Sequence, residues 1–328
     1  MRQLTPGKQK GLESISDENG IVLATAMDQR GSLGKMINSL NPEISYEDGL
    51  TRFKKGVSEI LGNRSSSLLL DPEYGWEAAE KLNKDIGLIM AYEKTGYDTE
   101  SKGRLPSLVD HYAVSDLVEK GVHALKLLVY YDPDEEEEYN SIKKTFIKRV
   151  GDECRQNDLL FILEPVSYSA KGLPAKSPEF AKEKPWIIEY FMEEFSKECY
   201  GVDLLKVEVP VAIHYIEGYA GNANSLFSAD EAARLYFQCS EKSKVPFIYL
   251  SGGVSNKQFI DTLYFAKKAQ SRFCGCLCGR AIWQEGVKPF AEEGEKAFYH
   301  WLETEGVANL NNVVHAIHET ATPWRDSM

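Results

Sequence analysis

Eight short apolar runs, each ending near a turn signal or a charge and separated from the next by a longer polar segment, constrain this chain more than any other feature. They cover residues 21–27 before Asp28, 67–70 before Asp71-Pro72, 87–91, and 124–129 before Tyr130. The others are 159–163 before Glu164-Pro165, 204–209 before Pro210, 247–250 before Ser251-Gly252-Gly253, and 275–278 before Gly279-Arg280. Runs so short and so continuously apolar fit parallel strands covered on both faces. Helix signals fill the intervals. Ser45-Tyr46-Glu47-Asp48 opens an amphipathic stretch to Leu61, and Ser228–Glu231 and Ser255–Gln258 have capping-box spacing. Gly121 stands where a C-terminal cap belongs after a helix near 115–120.

Eight strands alternating with helices predict an α/β fold, a single (β/α)8 barrel over residues 1–328, with about two extra C-terminal helices after Gln284 packed outside it. The rival is an open doubly wound sheet, but no G-x-G-x-x-G follows the first run, which weakens its dinucleotide-binding version. No linker divides the chain. The acidic run 132–138 reads as the solvated start of a helix, where carboxylates suit the positive dipole end. Residues 171–178, rich in breakers, read as a long βα loop on the face where a barrel carries its chemistry.

Charge narrows the ligand classes. Lys and Arg number 38 against 50 Asp and Glu, a net charge of −12. An acidic surface disfavours nucleic acid and anionic lipid, so a phosphorylated ligand would need a local pocket. The N-terminal Met1-Arg2-Gln3-Leu4-Thr5-Pro6-Gly7 has no apolar core of the secretory type, and no stretch has the ~18 apolar residues of a membrane helix. The six cysteines do not resemble a secreted disulfide framework, and a cytoplasmic protein is expected.

Charged residues inside the runs are the main anomaly. A parallel barrel strand is covered on both faces, so a mid-strand charge has no cheap solvated position. Lys206 and Glu208 stand two apart and project from one face; Lys126 sits in the fourth run. Asp28 and Glu164 close the first and fifth runs, at the end where barrel active sites form. These five groups could converge on one cavity. Structural ion pairs are the alternative, but burying so many charges costs several kcal/mol per ion before pairing offsets it. A lysine desolvated beside other cations gives up its proton more readily, and its free amine can attack a carbonyl to form an imine. Carboxylates would then move the protons.

Glycine-rich turns follow the seventh and eighth runs, at Ser251-Gly252-Gly253 and Gly279-Arg280, where barrels commonly hold a phosphate. Metal chemistry is not expected. None of the six histidines ends a run, and Cys274, Cys276 and Cys278 alternate rather than forming the paired C-x-x-C of common zinc sites, which suggests small buried strand residues.

Residues 24–31 (Ala-Thr-Ala-Met-Asp-Gln-Arg-Gly), 161–165 (Phe-Ile-Leu-Glu-Pro), 204–208 (Leu-Leu-Lys-Val-Glu) and 250–254 (Leu-Ser-Gly-Gly-Val) resemble those of bacterial class I tagatose-1,6-bisphosphate aldolases. The resemblance extends over essentially the whole chain. It implies a metal-independent barrel enzyme of lactose and galactose breakdown, with no cofactor beyond the lysine imine itself. The substrate would be tagatose 1,6-bisphosphate, a phosphorylated ketohexose, and the products dihydroxyacetone phosphate and glyceraldehyde 3-phosphate. By position, Lys206 would form the imine, Glu164 would shuttle protons, Asp28 would hold substrate hydroxyls, and Lys126 would be a second active-site cation. Ser251, Gly252, Gly253, Gly279 and Arg280 would bind the C1 phosphate, with Gln29 and Arg30 near the substrate and Arg30 a candidate for the other phosphate.

The same machinery would serve a class I aldolase for fructose 1,6-bisphosphate or a sulfonated fructose phosphate. A metabolite-sensing regulatory protein that retains the pocket is the reading from a different class; it would be favoured if Lys206 or Glu164 were missing, and both are present. The oligomeric state, a homo-oligomer included, is left open.

Overall fold

The computed structural model describes residues 4–94, 101–221 and 225–327, so Met1-Arg2-Gln3 of the N-terminal heptapeptide lie outside the described residues. Strands β1 (Val22–Ala26), β2 (Ser67–Leu70), β3 (Gly87–Ala91), β4 (Ala124–Tyr131), β5 (Leu160–Ser167), β6 (Leu204–Val207), β7 (Phe247–Leu250) and β8 (Gly275–Cys278) form a closed parallel barrel in chain order. Each coincides with one of the eight apolar runs.

One boundary corrects the sequence reading. β5 does not stop at Glu164-Pro165; it continues to Ser167 and pairs with β4 from Ala124↔Leu160 to Tyr131↔Ser167. Proline removes one ladder donor, which a strand survives when its neighbouring pairs hold. Glu164 is therefore inside its strand, one turn of the pleat below the rim.

Around the barrel lie α1 (Pro6–Ile15), α2 (Gly31–Leu40), α3 (Tyr46–Ile60), α4 (Trp76–Ala79), α5 (Val114–Glu119) and α6 (Glu137–Gln156). The remainder are α7 (Pro178–Glu194), α8 (Ala229–Lys242), α9 (Asn256–Lys268), α10 (Arg280–Trp283), α11 (Glu295–Trp301) and α12 (Val307–Thr320). The caps behave as their side chains dictate. Ser45 accepts from the Asp48 N–H and Ser228 from the Glu231 N–H, while the Ser255–Gln258 box closes in both directions. Gly121 takes φ +80° just past α5. The acidic run departs from expectation: α6 begins only at Glu137, and Asp132 is a buried turn residue that accepts the Ala170 and Asp134 N–H groups.

Alternation along the strands divides the core in two. Val22, Ala24, Ala26, Ile89, Ala91, Ala124, Leu160, Ile162, Leu204 and Ile248 fill the barrel interior. Their neighbours, such as Leu23, Leu68, Leu125, Phe161 and Leu205, face the helices, meeting Phe53 of α3, Ile147 of α6 and Leu263 of α9. Helix α1 inserts Leu12 and Ile15 under the interior and buries a Lys8–Asp203 ion pair of 2.6 Å, plugging the N-terminal end. The C-terminal mouth is left for chemistry. The last helices pack outside as expected, with Phe298 stacked 4.6 Å from Phe53 and α12 against α9. Among the described residues, no helix is long and apolar enough to cross a membrane.

The β8–β1 seam that closes the barrel depends on Gly275. Its φ is +147°, and an added Cβ would stand 1.9 Å from the Val22 carbonyl oxygen. Gly275→Ala should lower stability by about 2–4 kcal/mol through this backbone clash. Chemical denaturation would measure the loss.

Candidate active site

The site grows out of the interior alternation. Two residues beyond the last small or apolar interior residue of a strand, a charge appears on the same face. Asp28 follows Ala26, Glu93 follows Ala91, Lys126 follows Ala124, Glu164 follows Ile162, and Lys206 follows Leu204. The inward period of two stacks these groups in one layer above the apolar interior. The Lys126 ammonium lies 2.7 Å from Asp28 Oδ2, 2.8 Å from Glu93 Oε1 and 2.8 Å from Glu164 Oε2. The other Glu164 oxygen is 2.8 Å from Lys206 Nζ. One carboxylate thus bridges the two lysines.

The two lysines are not equivalent. Burial opposes the charge on Lys126, but Asp28, Glu164 and Glu93 outweigh it and hold the ammonium well above the ordinary lysine range. Losing that proton would leave three carboxylates around a neutral amine. Lys206 is buried but shares a single carboxylate among the described residues. Burial also works against an ionised Asp28, yet the Lys126 and Lys206 ammonium groups keep its carboxyl far below the usual carboxylate range. Asp28 is an acceptor that stays charged. Tyr130, inward-facing on β4 above Lys126, has its hydroxyl pushed up by burial and lies within the fields of Arg104, Glu164 and Glu208.

One sequence expectation needs correction. Glu208 does not join the lysine cluster: β6 ends at Val207, and Glu208 Oε2 accepts from the Ser167 N–H (2.7 Å) and hydroxyl (2.6 Å), while Oε1 pairs with Lys184 at 2.8 Å. It fastens the rim of β6 to β5 and α7. Arg30, expected near the substrate, keeps one guanidinium nitrogen, Nε, buried without a hydrogen-bond partner among the described residues. It is 97 % buried, paired with Glu73, and donates to the Glu93 carbonyl at 2.9 Å.

Sequence reasoning missed Glu93, although the rule that places Asp28 after Ala26 also places Glu93 after Ala91. Its second oxygen accepts the Leu128 N–H at 2.9 Å, which fixes the carboxylate toward Lys126. Lys54 was also missed, because on α3 it looks like an ordinary polar-face residue. It is fully buried against Asp71 at 2.7 Å and donates to the Met27 and Gln29 carbonyls, holding the loop that carries Asp28.

The glycine-rich turns come together. Gly252 and Gly253 have φ +61° and +75°, and a Cβ on Gly253 would stand 2.8 Å from the Arg280 guanidinium carbon. Ser251 is bonded to the buried Cys278, and Gln29 lies beside Gly279, its Nε2 3.3 Å from where a Cβ would stand. The Gln29 Oε1 is buried without a partner among the described residues. A guanidinium on glycine backbone, with a serine and an amide nearby, suits an anion. Cys274, Cys276 and Cys278 are buried in the β8 region with thiols pushed up by burial. Among the described residues, no group of three His, Cys, Asp or Glu side chains is placed to hold a metal ion.

Residues 22–285 match the model of the DeoC/LacD family aldolases. The chain belongs to that family. It is 47% identical to tagatose 1,6-diphosphate aldolase 2 of Enterococcus faecalis over 99% of this chain and 97% of the relative. It is 44% identical to a tagatose 1,6-diphosphate aldolase of Listeria monocytogenes, over 99% and 95%. The relatives thus carry the names that the motifs suggested. Among solved structures, a fructose-bisphosphate aldolase from Plasmodium falciparum superposes with a TM-score of 0.73 at 14% identity, covering 98% of both chains, which is a likeness of fold.

Removing the central cation of this aldolase has a signed pH signature. Lys126→Met leaves three buried carboxylates facing one another and should cost about 3–5 kcal/mol at pH 7. In the parent, the lowered Asp28 carboxyl contributes stability above its unfolded value, lost as pH falls. In the variant, the crowded carboxylates bind protons more readily folded than unfolded, so its stability rises as pH falls. The deficit should therefore shrink between pH 7 and pH 4, read as urea midpoints across that range.

Proposed function

We propose that this chain, acting as one catalytic barrel over residues 1–328, cleaves tagatose 1,6-bisphosphate through a lysine imine without a metal or other cofactor. The observation that carries this reading is the Lys206–Glu164–Lys126 bridge: two buried lysines with one carboxylate between them, the second lysine held as a cation by three carboxylates. The names of the relatives supply the substrate.

Each step uses groups already in contact. Lys206 passes a proton to Glu164, and its free amine adds to the C2 ketone to give a carbinolamine. Glu164 returns the proton to the departing hydroxyl, which leaves as water, and the nitrogen becomes a protonated imine. Glu164, ionised again, takes the proton from the C4 hydroxyl as the C3–C4 electron pair moves to the imine nitrogen. Glyceraldehyde 3-phosphate departs and an enamine remains. Glu164 delivers the proton to C3, and water releases dihydroxyacetone phosphate. Asp28, held ionised, accepts hydrogen bonds from substrate hydroxyls, while Lys126 orients both carboxylates and supplies fixed positive charge. Ser251, Gly252, Gly253, Gly279, Arg280 and Gln29 hold the C1 phosphate, which sets C2 against Lys206.

Borohydride reduction in the presence of dihydroxyacetone phosphate should trap the adduct on Lys206, located by peptide mass mapping. Lys206→Ala should abolish trapping in a folded protein; an adduct on Lys126 would reverse the two roles. Glu164→Gln keeps the side chain's shape but cannot accept a proton, so kcat should fall by about 10²–10⁴. KM should change much less, and steady-state kinetics with tagatose 1,6-bisphosphate separate the two parameters.

A further inference from the structure

A bisphosphate has a second anionic end, and with Arg30 buried and its two terminal nitrogens engaged by Glu73 and Glu93, a less buried cation is better placed to meet it. In a closed barrel of eight strands in sequence order, the side opposite the β7–β8 turns is β3–β4. An extended sugar anchored by its C1 phosphate at Gly253 and Arg280 crosses the mouth over Glu164 and Lys126 toward that side.

There residues 92–94, just past β3, pair with residues 107–109. Glu93 pairs with Leu108 in an antiparallel bridge, the Lys94 N–H bonds the Ser107 carbonyl at 2.8 Å, and the Val109 N–H bonds the Tyr92 carbonyl at 3.0 Å. Lys102 pairs with Glu136 at 2.5 Å, and Gly103 lies so close to the Tyr139 ring that a Cβ would stand 2.3 Å from it. These contacts dock the segment on the start of α6. Arg104 follows with φ +43°, a conformation unfavourable for a side chain that is neither glycine nor asparagine. Its guanidinium stands 4.4 Å from the centre of the Tyr168 ring and 5.4 Å from that of Tyr130. Tyr168 is itself held from below, accepting from Lys143 at 3.0 Å and donating to Glu135 at 2.8 Å.

Arg104 has no carboxylate partner among the described residues. A guanidinium resting on ring faces keeps its N–H edge free for a planar, bidentate grip on phosphate. Tyr130 connects it to the reacting groups, since its hydroxyl lies within the fields of both Arg104 and Glu164.

We propose that Arg104 is the specificity residue for the distal phosphate, binding the C6 phosphate of the ketohexose bisphosphate from the tyrosine platform. The proposal rests on the Schiff-base aldolase reading and extends it to the opposite rim.

The test compares tagatose 1,6-bisphosphate with tagatose 1-phosphate. Arg104→Ala should lower kcat/KM for the bisphosphate roughly 10–100-fold, as for a lost charged hydrogen bond, and for the 1-phosphate by no more than about threefold. Arg104→Lys, which keeps the charge without the fork, should recover part of the loss. Equal losses on both substrates, or no loss on either, would overturn the proposal. Borohydride trapping with dihydroxyacetone phosphate is run in parallel. An adduct in parent and variant without substrate discrimination sinks the Arg104 role alone, whereas no adduct in the parent sinks the imine reading and this proposal with it.

Discussion

The contact on which the site depends is the Lys126 ammonium among Asp28, Glu93 and Glu164, carboxylates brought by β1, β3 and β5. None of these charges is tolerable alone at this depth. An isolated buried carboxylate or ammonium costs several kcal/mol in lost hydration, and only a close partner of opposite sign offsets it. Glu93 and Glu164 come from the strands flanking β4 and can meet Lys126 by neighbouring pairing, whereas Asp28, after β1, arrives only from across the barrel. Closure of the barrel is thus what completes the set, by bringing Asp28 to the same cation.

The same arrangement sorts the two lysines by role. Three carboxylates fix the proton on Lys126, which becomes a permanent charge. Lys206 pairs with Glu164, the carboxylate it shares with Lys126. Glu164 joins both, one oxygen on each lysine. Around this layer, apparently ordinary polar residues act as supports. Lys54 fixes the Asp28 loop from behind, and Glu208 ties the β6 rim to β5 and Lys184.

Much of this was legible before any coordinates. Short apolar runs ending at Asp28, Ser251 or Gly279 are strands that lead into chemistry, and the runs matched the observed strands. The β5 boundary was misjudged because Pro165 was read as a stop, whereas pairing with the long β4 carries the strand past it. Glu208 was misjudged because identical parity with Lys206 holds only while a strand continues, and β6 ends at Val207.

Sequence alone therefore determined the layers of the barrel: which residues point inward, which meet helices, and at which strand ends charges must gather. Those features follow from local chemistry, the period of two in a strand and the cost of exposing apolar runs. Only the tertiary structure decided which charges meet. That Arg30 meets Glu73 and Glu93, that Glu93 completes the Lys126 set, and that Arg104 rests on two tyrosine rings depend on contacts between segments far apart in the chain. Residue type gives a side chain its charge, but the availability of that charge to a ligand is set by what else lies within a few ångströms, and closure of the barrel fixes those neighbours.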